Sequence, residues 1–337
     1  MRIQHLAFLT PGNFSDDDPA AGLEATLALL AEGEALGYDS GWVRQRHLER
    51  GVSSAATVLA AATQRTRRIQ LGVAVVQMGY EQPFRLAEDL ATVDLLSGGR
   101  LQVGLSAGPP PHGALLGTRL FDGDPAAADF SHARVDRLRD LLRSDWLAGE
   151  DVFIESAGGR QRPRLQPHAP GLVDRLWVGG GSLGSAQWAG AAGYHLLIGN
   201  LNRAERSDDF WVTQGLQLDA YLAAWRRPSR PRVALGRVLL PTDSADADTR
   251  QRYARFAAER HARTLAPQGP RRTLFAPDLV GSADQIVQAL RTDPLIDRVS
   301  ELRLELPYNF ERDAYAQILA DTAQRLAPQL GWQPAPA

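Results

Sequence analysis

Two short stretches of this chain carry side chains that could do chemistry, and the first follows a predicted strand over residues 38–43. There Arg46 and His47 place a guanidinium beside an imidazole. His47 could act as a general acid or base or donate to a substrate, the alternative being a histidine satisfied by local hydrogen bonds. Arg46 could bind an anionic group through two parallel hydrogen bonds, or pair with Glu49 or another surface acid. Arg46 and His47 are therefore the candidate catalytic residues.

The second stretch is a glycine run between a predicted strand over residues 175–178 and a predicted helix. Residues 179–184 read Gly-Gly-Gly-Ser-Leu-Gly and match the G-x-G-x-x-G pattern of dinucleotide-binding turns. That pattern also requires an acid at the end of the next strand, whereas here the nearest acid, Glu205, lies beyond it. Dinucleotide binding is therefore disfavoured.

The same run keeps the features of a phosphate site, because free backbone N–H groups at a helix N-terminus bind anions. The alternative is a glycine turn that serves only close packing. The phosphate interpretation rests on the N–H groups of two glycines and the hydroxyls of two serines: Gly180, Gly181, Ser182 and Ser185.

The composition excludes several other kinds of chemistry. The chain has 337 residues and no cysteine, and all 37 of its basic residues other than histidine are arginine. Thiolate nucleophiles, iron–sulfur clusters, Schiff-base lysines and phosphate-loop lysines are therefore excluded. The net charge of −2 without a basic block argues against nucleic acid as a partner. Neither a His-x-His strand nor a His-Glu-x-x-His helix is present, so we expect no metal.

The hydropathy of the chain bears on its location. It carries no apolar segment long enough to span a membrane, and no signal-peptide pattern at its N-terminus. These features predict a cytoplasmic protein that does not act at a membrane.

Eight predicted strands alternate with helices along the chain. They cover residues 3–9, 38–43, 71–76, 101–105, 175–178, 194–198, 232–240 and 302–306. This alternation predicts an α/β fold, a (β/α)8 TIM barrel with insertions after strands four and seven, with a doubly wound sheet as the alternative. We expect one domain over residues 1–337, with a disordered tail from about residue 328.

Residues 71–108 form the clearest unit of the alternation, a strand, a helix, a tight turn and a second strand. Asp94 and Arg100 are predicted to pair structurally at the turn. In a barrel the chemistry lies at the carboxyl ends of the strands. Ala74-Val75 and residues 106–108 stand at two of those ends.

Four stretches carry a family resemblance. Three of them are YDSGWV at residues 38–43, LGVAV at 71–75 and LWVGG at 176–180. The fourth is a motif made of AED at residues 87–89, the pattern Asp94-x-x-Ser97-x-Gly99-Arg100, and Gly104. Together they resemble the bacterial luciferase-like flavin-dependent monooxygenases and oxidoreductases. The resemblance covers about residues 1–200 well and the rest by pattern only, and it implies a (β/α)8 barrel.

The resemblance implies FMN, or in some members a deazaflavin, bound at the mouth of the barrel. The backbone at Ala74 and Val75, where the family often has a cis peptide bond, would lie against the flavin ring. Ser106 and Gly108 would face the cofactor, and the glycines and serines of the phosphate turn would hold its phosphate. Most monooxygenase members oxidise a small organic substrate with molecular oxygen and reduced flavin made by a separate reductase, which is the expected protein partner. We also expect a homodimer.

The chain departs from the family pattern at two positions. Many members have Glu-His-His after the second strand, whereas here the aligned residues are Gln45, Arg46 and His47. Luciferase has a phosphate-holding arginine after the fourth strand, and here Ala107 stands there. Two alternatives therefore stay open, a deazaflavin- or NAD(P)H-dependent oxidoreductase and a flavin-binding protein without turnover. An insertion over residues 108–130, a candidate lid, argues against the second of these.

Overall fold

Eight parallel strands close into a barrel in the computed structural model, which describes residues 2–121, 123–124, 127–143, 145–308 and 310–334. Each strand pairs in parallel with the next along the chain, and the last pairs with the first. The prediction of a (β/α)8 TIM barrel is confirmed, and the doubly wound alternative is wrong. The barrel strands are β1 (His5–Thr10), β2 (Ser40–Val43), β3 (Gln70–Gln77), β4 (Leu101–Ser106), β5 (Leu176–Gly179), β6 (His195–Ile198), β7 (Val233–Arg237) and β8 (Glu301–Glu305).

The helices lie between and after these strands, and local signals in the sequence place several of their ends. α3 begins at Pro83, where a missing N–H costs nothing, and Gly98 ends it with a φ of 69°. Ser282 and Gln285 form the predicted capping box at the start of α9. The helices are α1 (Pro19–Ala35), α2 (Ala55–Thr63), α3 (Pro83–Ser97), α4 (Gly113–Leu116), α5 (His132–Arg143), α6 (Leu183–Ala192), α7 (Phe210–Ala224), α8 (Ala247–His261), α9 (Ala283–Arg291) and α10 (Arg312–Asp321).

Long insertions follow β4 and β7, as predicted. The first contains α4, α5 and an antiparallel hairpin of Ile154–Ser156 with Gly159–Gln161. Positions 122, 125 and 126 of the candidate lid lie outside the described residues. The second insertion contains α8, α9 and two short strands, Thr273–Phe275 and Leu279–Gly281.

The strand predicted over residues 232–240 is in fact two strands. β7 ends at Arg237, and Leu239–Pro241 then pairs with Leu279–Gly281 in a separate two-stranded parallel sheet. The sequence conceals this break because the apolar run continues through the point at which the chain leaves the barrel.

Successive side chains of each barrel strand point alternately outward, into the core beneath the helices, and inward, into the lumen of the barrel. Leu302 and Leu304 of β8 join the outer core, so Glu301, Arg303 and Glu305 point inward. The lumen is filled at mid-height by an apolar cluster of Ala7, Leu9, Trp42, Ala74, Trp177, Leu197 and Ala234. The Trp42 and Trp177 rings meet edge to face, with centroids 5.7 Å apart. This apolar layer separates a lower charged layer from an upper one.

The tail expected to be disordered from about residue 328 is ordered through its tryptophan. Leu330 and Trp332 are buried, and the Trp332 indole Nε1 donates to the Asp39 carboxylate over 2.8 Å. Ile3 N–H also donates to the Leu330 carbonyl over 2.9 Å. Because these partners precede β1 and β2, the tail closes the lower end of the barrel; residues 335–337 lie outside the described part.

The predicted pairing of Asp94 with Arg100 is wrong. Buried Asp94 instead accepts two hydrogen bonds from Arg175, of 3.0 and 2.9 Å. Arg100 donates to the carbonyls of Ile69 and Thr66. Barrel closure causes the exchange, because it brings the residue before β5 beside the end of α3, a contact across 81 positions.

Candidate functional site

A cavity of about 210 Å³ lies at the carboxyl ends of the barrel strands. It brings together residues of the loop after β2, of β3 and β4, and of the turn after β5, which are far apart in the sequence. Six of the predicted site residues line it: Arg46, Ala74, Val75, Ser106, Gly180 and Gly181. The volume is below the range of roughly 300–1,000 Å³ typical of whole-ligand pockets. The enclosed space therefore surrounds part of a ligand and not the whole of one.

The wall contributed by β3 has an irregular backbone. The Ala74–Val75 peptide bond is cis, as the resemblance implied. The register between β3 and β4 shifts between Val73 and Val76. Gly104 and Gly179 leave room for the Val75 side chain, since a Cβ at either would lie 3.0 or 3.4 Å from Val75 Cγ1. This bulge presents backbone and one small apolar side chain to the cavity.

The turn between β5 and α6 ends in a helix N-terminus that already holds an anion from the protein itself. The Ser182 hydroxyl accepts from Ser185 N–H over 3.2 Å. The Glu205 carboxylate accepts from Leu183 N–H over 2.6 Å. Nothing lies within 4 Å of a Cβ built at Gly181, so the backbone there is open to a ligand. An anion is favourable at this position because the helix dipole and free N–H groups attract negative charge.

His47 lies beside the cavity and does not line it. Its ring stacks on Tyr80 with centroids 4.0 Å apart. The Gln45 amide nitrogen lies 3.1 Å from His47 Nε2 and 2.9 Å from a Glu81 oxygen. An amide nitrogen only donates, so His47 Nε2 accepts and its proton resides on Nδ1. Burial lowers the pKa of His47 and raises the pKa of Glu81.

Gly108 and the two serines also stand outside the cavity wall. Gly108 N–H donates to the Phe130 carbonyl over 2.8 Å, which ties together the two ends of the candidate lid. Ser182 and Ser185 lie on the first turn of α6, one step beyond the lining residues Gly180 and Gly181. The cofactor and phosphate roles given to these residues stay predictions.

Three charged residues that were not predicted line the same cavity. Arg44 Nη2 lies 3.5 Å from one Glu305 oxygen, and Arg303 Nη2 lies 3.4 Å from the other. We call Arg44, Arg303 and Glu305 the upper cluster. The signal that could have found it is the alternation Glu-Leu-Arg-Leu-Glu in β8, in which every inward position is charged.

Packing fixes the side chains of the upper cluster. A Cβ at Gly236 would lie 2.2 Å from a Glu305 oxygen, so only glycine leaves space for this carboxylate. The Arg303 guanidinium lies over the Trp42 ring, and that of Arg44 over Tyr308, at 5.8 and 5.2 Å from the centroids. Burial lowers the pKa of Arg303, and the negative charge of Glu305 opposes this shift. The guanidinium therefore keeps its proton.

A second cavity, of about 500 Å³, lies between α1 and the start of α10. Its lining includes Asn13, Arg50 and Tyr315 and none of the predicted site residues. The described residues contain no cluster of three potential metal ligands. Over the same part of the chain, every helix is too short or too polar to cross a bilayer.

A closed parallel barrel with a cavity at the carboxyl ends of its strands has the architecture of a barrel enzyme. The chain belongs to the luciferase-like monooxygenase family, whose model matches residues 3–329.

Two curated relatives with named activities match parts of the chain. Limonene 1,2-monooxygenase of Rhodococcus erythropolis is 31% identical over 163 residues, covering 46% of this chain and 42% of that protein. The 4-hydroxyprotoasukamycin monooxygenase of Streptomyces nodosus subsp. asukaensis is 38% identical over 112 residues, covering 33% and 30%. The matched region is thus less than half of each relative.

Solved structures share the fold over almost the whole chain. Monooxygenase RslO1 of Streptomyces bottropensis has a TM-score of 0.67 at 24% identity, covering 98% of this chain and 99% of that one. The oxygenating constituent of 3,6-diketocamphane monooxygenase from Pseudomonas putida, in complex with FMN, has a TM-score of 0.64 at 15% identity, covering 97% and 98%. An F420-dependent secondary alcohol dehydrogenase has a TM-score of 0.60 at 16% identity, covering 95% and 99%.

Proposed function

We propose that this protein is an FMN-dependent monooxygenase that uses reduced flavin from a separate reductase and molecular oxygen to oxidise a small organic substrate. The observation that supports it most is the cavity between the Ala74–Val75 bulge and the Gly180–Gly181 turn. A flat ring fits beside an exposed backbone bulge, and a phosphate fits at a helix N-terminus. Family membership supports the same class of reaction.

The residues divide into two sets in this proposal. Ala74, Val75 and Ser106 would hold the ring, and Gly108 would order the loop beside it. The α6 turn, with Gly180, Gly181, Ser182 and Ser185, would hold the phosphate in place of the Glu205 carboxylate. Bound reduced flavin would supply two electrons to oxygen.

The chain's own residues would then position the substrate and move protons. Arg46 lines the cavity, with its Nε 4.0 Å from a Glu49 oxygen, a distance too long for a strong pair. It is therefore free to donate to a ligand. His47, with Nε2 engaged by Gln45, would offer the proton on Nδ1.

We further propose a cytoplasmic homodimer.

Anaerobic titration of the purified protein with FMN tests the cofactor. We expect both oxidised and reduced FMN to bind, seen as a shift of the visible flavin spectrum and quenching of its fluorescence. F420 serves as the comparison ligand, and tighter binding of F420 than of FMN would make the protein a deazaflavin-dependent oxidoreductase. Binding of neither cofactor would reject the proposed function.

A second measurement separates turnover from simple binding. With FMN, NADH, a flavin reductase and a small organic substrate, a monooxygenase transfers one atom of isotopically labelled O2 to the organic product, which mass spectrometry detects, whereas the reductase alone gives only hydrogen peroxide. NADH consumption without the reductase would indicate a self-sufficient oxidoreductase. FMN binding without labelled product from any substrate would indicate a flavin-binding protein without turnover.

A further inference from the structure

The upper cluster contains hydrogen-bond donors that the protein does not use. The Arg303 side chain is 4% exposed, and its Nε and Nη1 have no hydrogen-bond partner. Arg44 Nε is likewise buried and unpartnered. Buried N–H groups are almost always paired in folded proteins, and those of a charged group most strictly. Unpartnered buried arginine nitrogens also occur elsewhere in the described residues, as at Arg263, but those of Arg44 and Arg303 belong to side chains that line the cavity, where a ligand can supply the missing acceptors.

The charges around the cavity point to an anion as that ligand. The ionisable residues lining it are Arg44, Arg46, Arg303 and Glu305, three positive groups and one negative. Glu305 is shared between two guanidiniums at 3.4 and 3.5 Å, so it neutralises only one of them. The cavity therefore carries a surplus of positive charge, partly removed from water. Guanidinium groups bind carboxylates through two parallel hydrogen bonds.

The position of the cluster separates it from the proposed phosphate turn. Arg44 follows β2, and Arg303 lies on β8, the two strands that flank β1. The turn at Gly180 follows β5, across the barrel from β1. An anionic group at the arginines is therefore a different group from a phosphate at α6.

We propose that Arg303 and Arg44 bind the carboxylate of the substrate, so that the substrates of this protein are small organic carboxylates. The assignment rests on the proposed function in taking this cavity as the substrate site. Glu305 sets the strength of binding, because it holds the two guanidiniums in place and competes with the incoming carboxylate. The negative charge of a reduced flavin ring is the other source of an anion here, and the experiments below distinguish the two.

Binding of benzoate and of benzamide tests the proposal directly. The two probes have the same shape, and only benzoate is charged. Isothermal titration calorimetry of the flavin-free protein should show benzoate binding at least tenfold more tightly than benzamide. Equal affinity of the two probes would overturn the proposal.

Two substitutions should then change benzoate affinity in opposite directions. Arg303→Met removes the donors at nearly constant volume, and we expect at least a tenfold loss, largely restored in Arg303→Lys. Glu305→Gln removes the competing negative charge, and we expect at least a threefold gain. A general loss of structure cannot produce a gain. If Arg303→Met does not fold, Glu305→Gln decides alone, and unchanged or weaker benzoate binding in it would reject the cluster as a carboxylate site.

Titration of the same variants with FMN separates substrate from cofactor. We expect Arg303→Met to bind oxidised and reduced FMN within threefold of the unmodified protein. A tenfold loss confined to reduced FMN, with benzoate affinity unchanged, would assign the arginines to the flavin ring and overturn the proposal. If no form of the protein binds FMN while charge-selective benzoate binding persists, the proposed function fails and the carboxylate site stands.

Discussion

The two ends of the barrel lumen both contain arginine and glutamate, but they use them differently. At the lower end all three nitrogens of the Arg232 guanidinium are bonded, to both Glu301 oxygens at 2.6 and 3.0 Å and to Gln102 Oε1 at 3.3 Å. At the upper end Arg303 reaches Glu305 through one nitrogen at 3.4 Å, and its other two have no partner. The Arg232 guanidinium at the lower end is fully paired, whereas the Arg303 guanidinium at the upper end is not.

This difference matches the division of labour in barrel proteins, in which the lower face stabilises the fold and the upper face binds ligands. A network that satisfies every donor needs nothing further. A buried cluster with unpaired donors destabilises the folded protein, and a ligand that pairs with those donors removes this cost. Residue type alone therefore does not mark a functional site in this barrel, because similar ion pairs occur at both ends.

The largest expected effect comes from removing the arginine at each end in turn. Arg232→Met should lower the free energy of unfolding by about 3–5 kcal/mol, because buried Glu301 is left unpaired. Arg303→Met should change it by about 1 kcal/mol or less, because Arg44 still pairs with Glu305 and two of the three lost nitrogens had no partner. Urea denaturation followed by circular dichroism measures both. Similar losses from the two substitutions would contradict the distinction between the layers.

Acid should weaken the lower layer through His195. Its Nε2 lies 3.1 Å from the Asp174 carbonyl oxygen, and its Nδ1 accepts from Arg232 N–H over 3.2 Å, so both nitrogens are occupied in the neutral form. Burial, aided by the Arg232 charge and opposed by Glu301, lowers the pKa of His195 to about 4.

The unfolded chain, with a histidine pKa near 6.5, therefore takes up this proton before the folded protein does. The contribution of neutral His195 to the free energy of unfolding is complete above pH 6.5 and is lost as the pH falls. The loss reaches about 3 kcal/mol near pH 4. His5, whose pKa burial also lowers, adds in the same direction. His195→Gln should flatten the pH profile of unfolding between pH 6.5 and 4. A profile equally steep in the variant would place the titration elsewhere.

At the upper end, His47→Ala should slow reoxidation of protein-bound reduced FMN by oxygen about tenfold, because a proton donor beside the cavity is lost. Stopped-flow absorbance of the flavin measures this rate. The control is His261→Ala, which changes an exposed histidine on α8. An unchanged rate in His47→Ala would leave this histidine a purely local role, held between Gln45 and Tyr80.

The smallest effect concerns the acid at the α6 N-terminus. Glu205→Gln should improve the preference for FMN over riboflavin about two- to fivefold, because a phosphate no longer competes with a charged carboxylate for the helix N-terminus. Fluorescence titration with both flavins measures the preference. Asp208→Asn is the matched control, since Asp208 is an exposed acid paired with Arg272. An equal change of the FMN preference in both variants would show that it comes from the net charge of the protein and not from the α6 N-terminus.

The sequence predicted several residues of the cavity wall but not the charged residues among them. Ala74, Val75, Ser106 and Gly180 line one cavity because strand ends of a parallel barrel converge on one face, and their cofactor roles stay predictions. The upper cluster was missed because inward and outward positions can be told apart only once the strand register is known. The Asp94 pairing was wrong for a related reason, since its true partner Arg175 is close only after the barrel closes.

The sequence by itself determined the eight-fold alternation of strands and helices, the helix caps and the family, since these depend on local periodicity and short motifs. Only the tertiary structure decided which charged side chains share the lumen and which of their hydrogen-bonding groups remain free. Glu305 lies between two arginines because Gly236, on the neighbouring strand, leaves space for its carboxylate. Contacts of this kind join positions that are distant in the chain, and they depend on how three strands align once the barrel has closed.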